Sequence, residues 1–302
     1  MRTDIKIKAS DNALLSGYIW KKDENSEVNK VVILAHGMAE HIERYDEFAN
    51  KLANNGYLVI GYNQRGHKDT SSKEDYGYMG DCDNFKILVS DYHDVVLYVA
   101  GKYPNAKRYG FGHSMGSFVL NRYIQLYNDL NKAVLCGTGK NPTLILSVGA
   151  FLDSCIRLFK GKRHRSKIID NLSFGAYNKK FAPNRTAFDW LNTVDEEVDK
   201  YINDEYCGGI FTLKYFHDFF KGCIKVNKNQ KHISNDLPIL LISGDQDPVG
   251  NMGKGTTQVY NDLKKLHNKV ELKLIPGERH EIMLEKSKDQ THQFVIDWLN
   301  KE

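Results

Sequence analysis

The chain has 302 residues, 41% of them hydrophobic and 26% charged, with a formal net charge of +4. It is long enough to bury a real core, either as one large α/β domain with an insertion or as two small domains. The composition is neither that of a disordered segment nor that of a strongly basic nucleic-acid binder, so no nucleic-acid partner is expected.

Residues 1–20 alternate apolar and polar side chains like a half-buried strand pair. They contain no uninterrupted apolar run followed by a small-residue cleavage site, so no secretory signal is read there. The apolar stretch Thr143 to Leu152 is far short of the roughly 20 residues that a membrane-spanning helix needs. A soluble, cytoplasmic protein is expected. Five widely spaced cysteines, Cys82, Cys136, Cys155, Cys207 and Cys223, form no C-x-x-C pair and read as reduced, mostly structural thiols.

Buried strands are predicted at Val31 to Ala35, Tyr57 to Gly61, Arg108 to Gly112, Lys132 to Cys136, Ile239 to Ser243 and Val270 to Ile275. Helical periodicity fills most of the intervals, at Tyr45 to Asn54, Phe85 to Lys102, Ser117 to Leu130 and Thr256 to Leu266. Alternation of this kind implies parallel strands joined by crossover helices, hence an α/β fold with a mostly parallel sheet flanked by helices. Between Cys136 and Ile239 the rhythm breaks for about a hundred residues, much longer than an ordinary crossover connection. The expected division is therefore a core of residues 1–137 and 236–302 and a helical cap of residues 138–235 over the carboxyl edge of the sheet, where such folds bind ligands. Its amphipathic segments are Leu144 to Phe159 and Phe211 to Ile224.

The strongest chemical signal is Gly112 His113 Ser114 Met115 Gly116, a G-x-S-x-G that follows a predicted strand and opens a predicted helix. A serine hydroxyl is a weak nucleophile at neutral pH, so it needs a base within reach and an acid to hold that base in the useful tautomer. On this fold the partners come later in the chain, in the order serine, acid, histidine. Of eleven histidines, His280 is the one placed just after the last strand. His36 and His113 sit at other strand ends, and His217 and His232 in the insertion. Two acids, Asp245 and Asp247, follow the strand Ile239 to Ser243, and spacing alone leaves both open. Oxyanion stabilisation is expected from backbone N–H groups, one at Met38 in the loop after the first core strand and one at Met115.

These residues resemble the monoacylglycerol lipase and lysophospholipase group of α/β-hydrolases, which is related to the S33 serine aminopeptidases. The resemblance rests on His36 Gly37 Met38 Ala39 Glu40 His41 with Arg44 Tyr45, on Arg65 Gly66 His67, on the 112–116 pentapeptide, on Gly244 to Val249, and on Arg279 His280 Glu281. It implies an α/β-hydrolase fold, ester hydrolysis through Ser114, Asp247 and His280, and Asp247 rather than Asp245 as the acid. Lys68 stands where the group usually has glycine, which puts the shape of that loop in question, and the cap carries no matching motif.

No H-E-x-x-H, EF-hand loop, paired C-x-x-C, Walker A sequence or early G-x-G-x-x-G occurs, so neither a metal nor a cofactor is expected. The basic run Lys160 to Lys167 reads first as a solvated face of the cap, with transient contact to an anionic lipid surface as the alternative. The aromatics Phe211, Tyr215, Phe216, Phe219 and Phe220 either glue the cap to the core or line an acyl tunnel, packing being favoured slightly. Single-chain lipid esters are the expected substrates. Small soluble esters or N-terminal peptide bonds are the alternatives, the latter calling for a carboxylate that binds a free amine, with Asp195 Glu196 Glu197 available. A non-catalytic binding protein ranks last.

Overall fold

The computed structural model describes every residue except Asn268 and Glu302. Eight strands form one sheet in the order β1-β2-β4-β3-β5-β6-β7-β8. They are β1 Arg2–Lys8, β2 Leu14–Trp20, β3 Lys30–Ala35, β4 Leu58–Tyr62, β5 Lys107–His113, β6 Lys132–Cys136, β7 Ile239–Gly244 and β8 Val270–Ile275. The pairs β1–β2 and β2–β4 are antiparallel, and all the others are parallel. The N-terminal strand pair and six core strands thus fall where the sequence puts them, to within a residue or two.

The β3 and β6 side chains alternate between two cores, as strand geometry requires. Val31 and Ile33 face one core with Ala133 and Leu135, while Val32 and Leu34 face the other with Val134 and Cys136. Helices α1 Asp46–Asn54, α2 Asn84–Lys102, α3 Met115–Ile124, α9 Lys254–Lys264 and α10 Lys288–Asn300 cover these faces, α2, α3 and α9 on the first and α1 and α10 on the second. Asp83 starts α2 by accepting the Lys86 N–H at 3.1 Å, a side-chain cap for an otherwise orphaned donor. Helix α3 is shorter than expected. It stops at Ile124, and Tyr123 Oη reaches on to Asp129 (2.6 Å), so the Asn128–Asp129 stretch forms a stitched loop instead of another turn. Helix α10 was not among the predicted elements.

Residues 137–238, between β6 and β7, hold α4 Thr143–Lys160, α5 Lys167–Asp170, a π-helical turn at Asn171–Gly175, α6 Ala176–Asn178, α7 Asp195–Asn203 and α8 Leu213–Lys228. Helix α8 packs on α4 and reaches down to α2 and α3. Among the described residues no helix is long and apolar enough to cross a membrane, and none of the five cysteines is paired.

Candidate active site

Ser114 sits between β5 and α3 with φ 50° and ψ −119°, a backbone conformation that L-residues rarely adopt. The turn closes only because its flanks lack side chains. A Cβ on Gly112 would lie 2.3 Å from the Gly116 carbonyl oxygen, and one on Gly116 would lie 2.2 Å from that of Ala35. Ser114 N–H donates to the Cys136 carbonyl (2.9 Å), which anchors the turn to β6 and lifts the hydroxyl above the sheet edge.

The loops after β7 and β8 leave that same edge, and they bring Asp247 to His280. Asp247 Oδ2 accepts from His280 Nδ1 at 2.9 Å and from Ser243 Oγ at 2.9 Å, while Oδ1 accepts the Val249 N–H at 2.8 Å. The carboxylate is fully buried with both oxygens engaged, and His280 is 2% exposed. Holding Nδ1 in this way leaves Nε2 as the free face of the ring. Asp245 goes elsewhere, because its Oδ1 accepts the Gly277 N–H (2.8 Å) and ties the two loops together. Ser114 Oγ bonds to no described residue. It lines the same small cavity as His280, and such catalytic bonds often tighten only when substrate is bound.

The loop between β3 and α1 is organised by a set of bonds that the sequence does not announce. Gly37 N–H donates to Glu40 Oε1 (2.5 Å) and Ala39 N–H to His67 Nε2 (3.3 Å), whereas Met38 N–H and Met115 N–H donate to no protein group among the described residues. Met38, Ser114 and Met115 line one cavity, which makes these two amides candidates for meeting a negative charge that develops there. His67 Nδ1 faces the carbonyls of Gln64 and Arg65, and His36 Nδ1 faces the carbonyl of Gly37 while its Nε2 accepts the Gln64 N–H. Both rings are therefore neutral. Burial holds the His36 imidazolium down to about 4 against the pull of Glu40, and it holds that of His67 well below the ordinary range.

His113 differs, since Nδ1 meets Glu40 Oε1 (3.1 Å) and Nε2 meets the His280 carbonyl (3.2 Å). Two acceptors require two donors. Burial opposes that charge, but the hydrogen bond and charge of Glu40 outweigh it, and the pKa of His113 is raised. Glu40 is pushed up by burial yet held well below the usual carboxylate range by His113 and Arg44.

A model of the serine aminopeptidase S33 family matches residues 26–287. The chain belongs to that family. It is 25% identical to the monoacylglycerol lipase of Mycolicibacterium smegmatis over 93% of this chain and 91% of that one. It is 24% identical to a Haemophilus influenzae protein named "Probable lysophospholipase L2" over 91% and 84%. Among solved structures, a thermostable carboxyl esterase from Bacillus coagulans in complex with glycerol superposes with a TM-score of 0.91 at 24% identity, covering 99% of this chain and 98% of that one. A soluble variant of the Saccharomyces cerevisiae monoglyceride lipase gives 0.75 at 19%, covering 99% and 94%. These likenesses establish the α/β-hydrolase fold.

In this S33-family chain Arg44 joins the two ends of the sequence. Its guanidinium donates to Glu40 Oε2 (2.8 Å) and, through two nitrogens, to Glu281 (2.5 and 2.9 Å), and it lies over the Tyr201 ring. Two buried carboxylates thus face two cations, Arg44 and His113. Arg44→Met, which leaves Glu40 and Glu281 short of a counter-charge, is expected to cost about 3 to 5 kcal/mol in urea unfolding. Arg44→Lys, which cannot make the fork, is expected to recover only part of this. Lys68 itself adopts the left-handed backbone that glycine would supply (φ 35°), held by an ion pair with Glu43 and by the Tyr206 ring at 5.1 Å.

Two cavities meet at Ser114 and Met38. The larger, of about 320 Å3, is lined by Ile145, Leu146, Leu152, Phe216, Phe219 and Phe220 among others. The smaller, of about 70 Å3, is bounded by His280, Trp190, Tyr201, Glu40 and Asp170. The aromatic stretch therefore divides: Phe216, Phe219 and Phe220 line the larger cavity, while Phe211 and Tyr215 pack against His67, at 4.9 and 6.2 Å between rings. Asp195, Glu196 and Glu197 open the first turn of α7 and line neither cavity; the carboxylates lining the smaller one are Glu40 and Glu281, both engaged by Arg44, and Asp170, whose pKa burial raises. His217 is held by the Ala150 carbonyl, and His232 lies in a 3-10 turn. The basic run is mostly exposed, and its charges find surface partners: Lys162 pairs with Asp81, Arg163 with Asp75, and Arg165 donates to the Ile210 carbonyl (2.8 Å).

Proposed function

We propose that the chain hydrolyses carboxylic esters carrying one acyl chain, monoacylglycerols or lysophospholipids, through an acyl-enzyme on Ser114. The observation that carries this reading is the junction at that hydroxyl of a large apolar cavity and a small one that adds Glu40, Asp170, His280 and Glu281 to its aromatic walls. The acyl chain lies under α4 and α8, and the alcohol lies beside Trp190 and Asp170. His280 Nε2 takes the serine proton as Oγ attacks the carbonyl carbon, Asp247 holds the ring and stabilises its charged form, and the Met38 and Met115 amides meet the oxyanion. His280 then protonates the departing alcohol, and a water activated by the same ring releases the acid. Residues 138–235 act as the cap. The lipase and lysophospholipase names among the relatives agree with this assignment.

Within that class the smaller cavity favours a compact alcohol. Its volume is about 70 Å3, against about 320 Å3 for the cavity that takes the acyl chain. Delivery from a lipid surface is supported by Leu144, Phe151, Leu158 and Phe159 of α4, which are 67 to 88% exposed. Across p-nitrophenyl esters, kcat/KM is expected to rise severalfold per added carbon from acetate to medium chains, each buried methylene contributing about 0.8 kcal/mol. A profile falling steadily from acetate would contradict the acyl cavity. Asp170 supports the second reading, an aminopeptidase, because a carboxylate that lines the same cavity as Ser114, with no ion-pair partner among the described residues, suits a free amine. Cleavage of aminoacyl amides faster than of monoglycerides, lost in Asp170→Asn, would decide for it.

A further inference from the structure

Three potential metal-binding groups meet outside the Ser114 site. His41, Asp204 and Cys207 place one ligand atom each within 4.8 Å of one another. His41 follows the β3 loop, while Asp204 and Cys207 follow α7, so the cluster joins the cap to the loop that carries Met38. We propose that His41 Nε2, a carboxylate oxygen of Asp204 and Cys207 Sγ form a zinc site, with water as the fourth ligand. Imidazole, carboxylate and thiolate together suit Zn2+ rather than Mg2+ or Ca2+, and three protein ligands on a partly exposed edge leave one open position.

The surroundings fit this chemistry. Asp204 Oδ1 is fixed by the Tyr206 N–H (2.8 Å), which leaves Oδ2 facing His41 Nε2 at 2.8 Å. His41 is 4% exposed, and its Nδ1 has no hydrogen-bond partner among the described residues. The nearest acid to that nitrogen is Glu43, with Oε2 at 3.7 Å, in the place of the outer carboxylate that orients a metal-bound imidazole. On metal binding the His41 proton moves from Nε2 to Nδ1, toward Glu43, and the Cys207 thiol releases its proton to solvent. One Zn2+ is therefore taken up for one H+ lost. The other comparable cluster among the described residues, Glu47, Asp289 and His292, is less suited, because Lys51 and Lys288 already pair with its carboxylates.

A metal there would stiffen one wall of the smaller cavity. Tyr201 Oη and Gly208 N–H both donate to the Ala39 carbonyl at 2.9 Å, and Tyr201 and Gly208 line that cavity. The test uses the full chain, freed of metal by chelator and titrated with Zn2+ by calorimetry and with Co2+ by absorption, neither of which depends on hydrolysis. One equivalent is expected to bind at micromolar metal, Co2+ giving a thiolate-to-metal charge-transfer band and Zn2+ raising Tm. Cys207→Ser should abolish the band and the Tm rise, and Glu43→Gln should weaken binding about tenfold. Circular dichroism of both variants confirms folding. Absence of saturable binding, or binding and a Tm rise that survive in Cys207→Ser, would overturn the site.

Discussion

Ser114→Ala is expected to lower kcat for ester hydrolysis by about a millionfold while leaving folding and KM nearly unchanged. The serine accepts no structural load: its Oγ bonds to no described residue, and the turn is held by the Ser114 N–H to Cys136 and by the close approaches at Gly112 and Gly116. Alanine keeps all of that and removes only the nucleophile. The residual rate, on the order of a thousandfold or more over water, should come from the Met38 and Met115 amides and from binding. A fluorophosphonate probe is expected to label the parent chain on Ser114 and to leave the variant unlabelled. Labelling of the variant, or retained turnover, would remove Ser114 from the mechanism.

Asp247→Asn is expected to reduce kcat by about ten-thousandfold. An asparagine there keeps the volume and an oxygen for the Val249 N–H, but its amide turned toward His280 Nδ1 offers a donor where the ring needs an acceptor. The ring then carries its proton on Nε2, the nitrogen that should take the serine proton. Asp245→Asn is expected to change kcat only a few-fold on the scale of that loss, since its Oδ1 bonds Gly277 N–H and an amide oxygen does the same. Urea unfolding of both variants separates catalysis from stability, because Asp247 also accepts from Ser243 and Val249. Equal losses in the two variants would mean that the loop, rather than the carboxylate facing His280, matters.

Much of this site is legible in the chain because its parts are local. A G-x-S-x-G after a β-branched run and before a helix specifies its own turn, since only glycine tolerates contacts of 2.2 and 2.3 Å on either side of Ser114. Strand-end acids and the last strand-end histidine follow from the order in which an α/β sheet delivers its loops to one edge. The choice of Asp247 over Asp245 does not follow from spacing. It depends on which carboxylate the twist of the β7 loop turns toward His280 and which toward Gly277.

The rest needed the chain to close on itself. Arg44 and Glu281 are 237 residues apart and His41 and Asp204 are 163 apart, so no local pattern pairs them. The charge of His113 and the neutrality of His36 and His67 depend on whether each nitrogen meets a carboxylate, a carbonyl or an N–H. The aromatic stretch from Phe211 to Phe220 looks uniform as a sequence, but helical rotation of α8 sends Phe216, Phe219 and Phe220 to the larger cavity and Tyr215 to His67. The residues determine the local turns, strands and the chemistry each side chain can offer. Which of those side chains meet in a buried setting, where partner and solvent exclusion fix their charge, is decided by the tertiary structure alone.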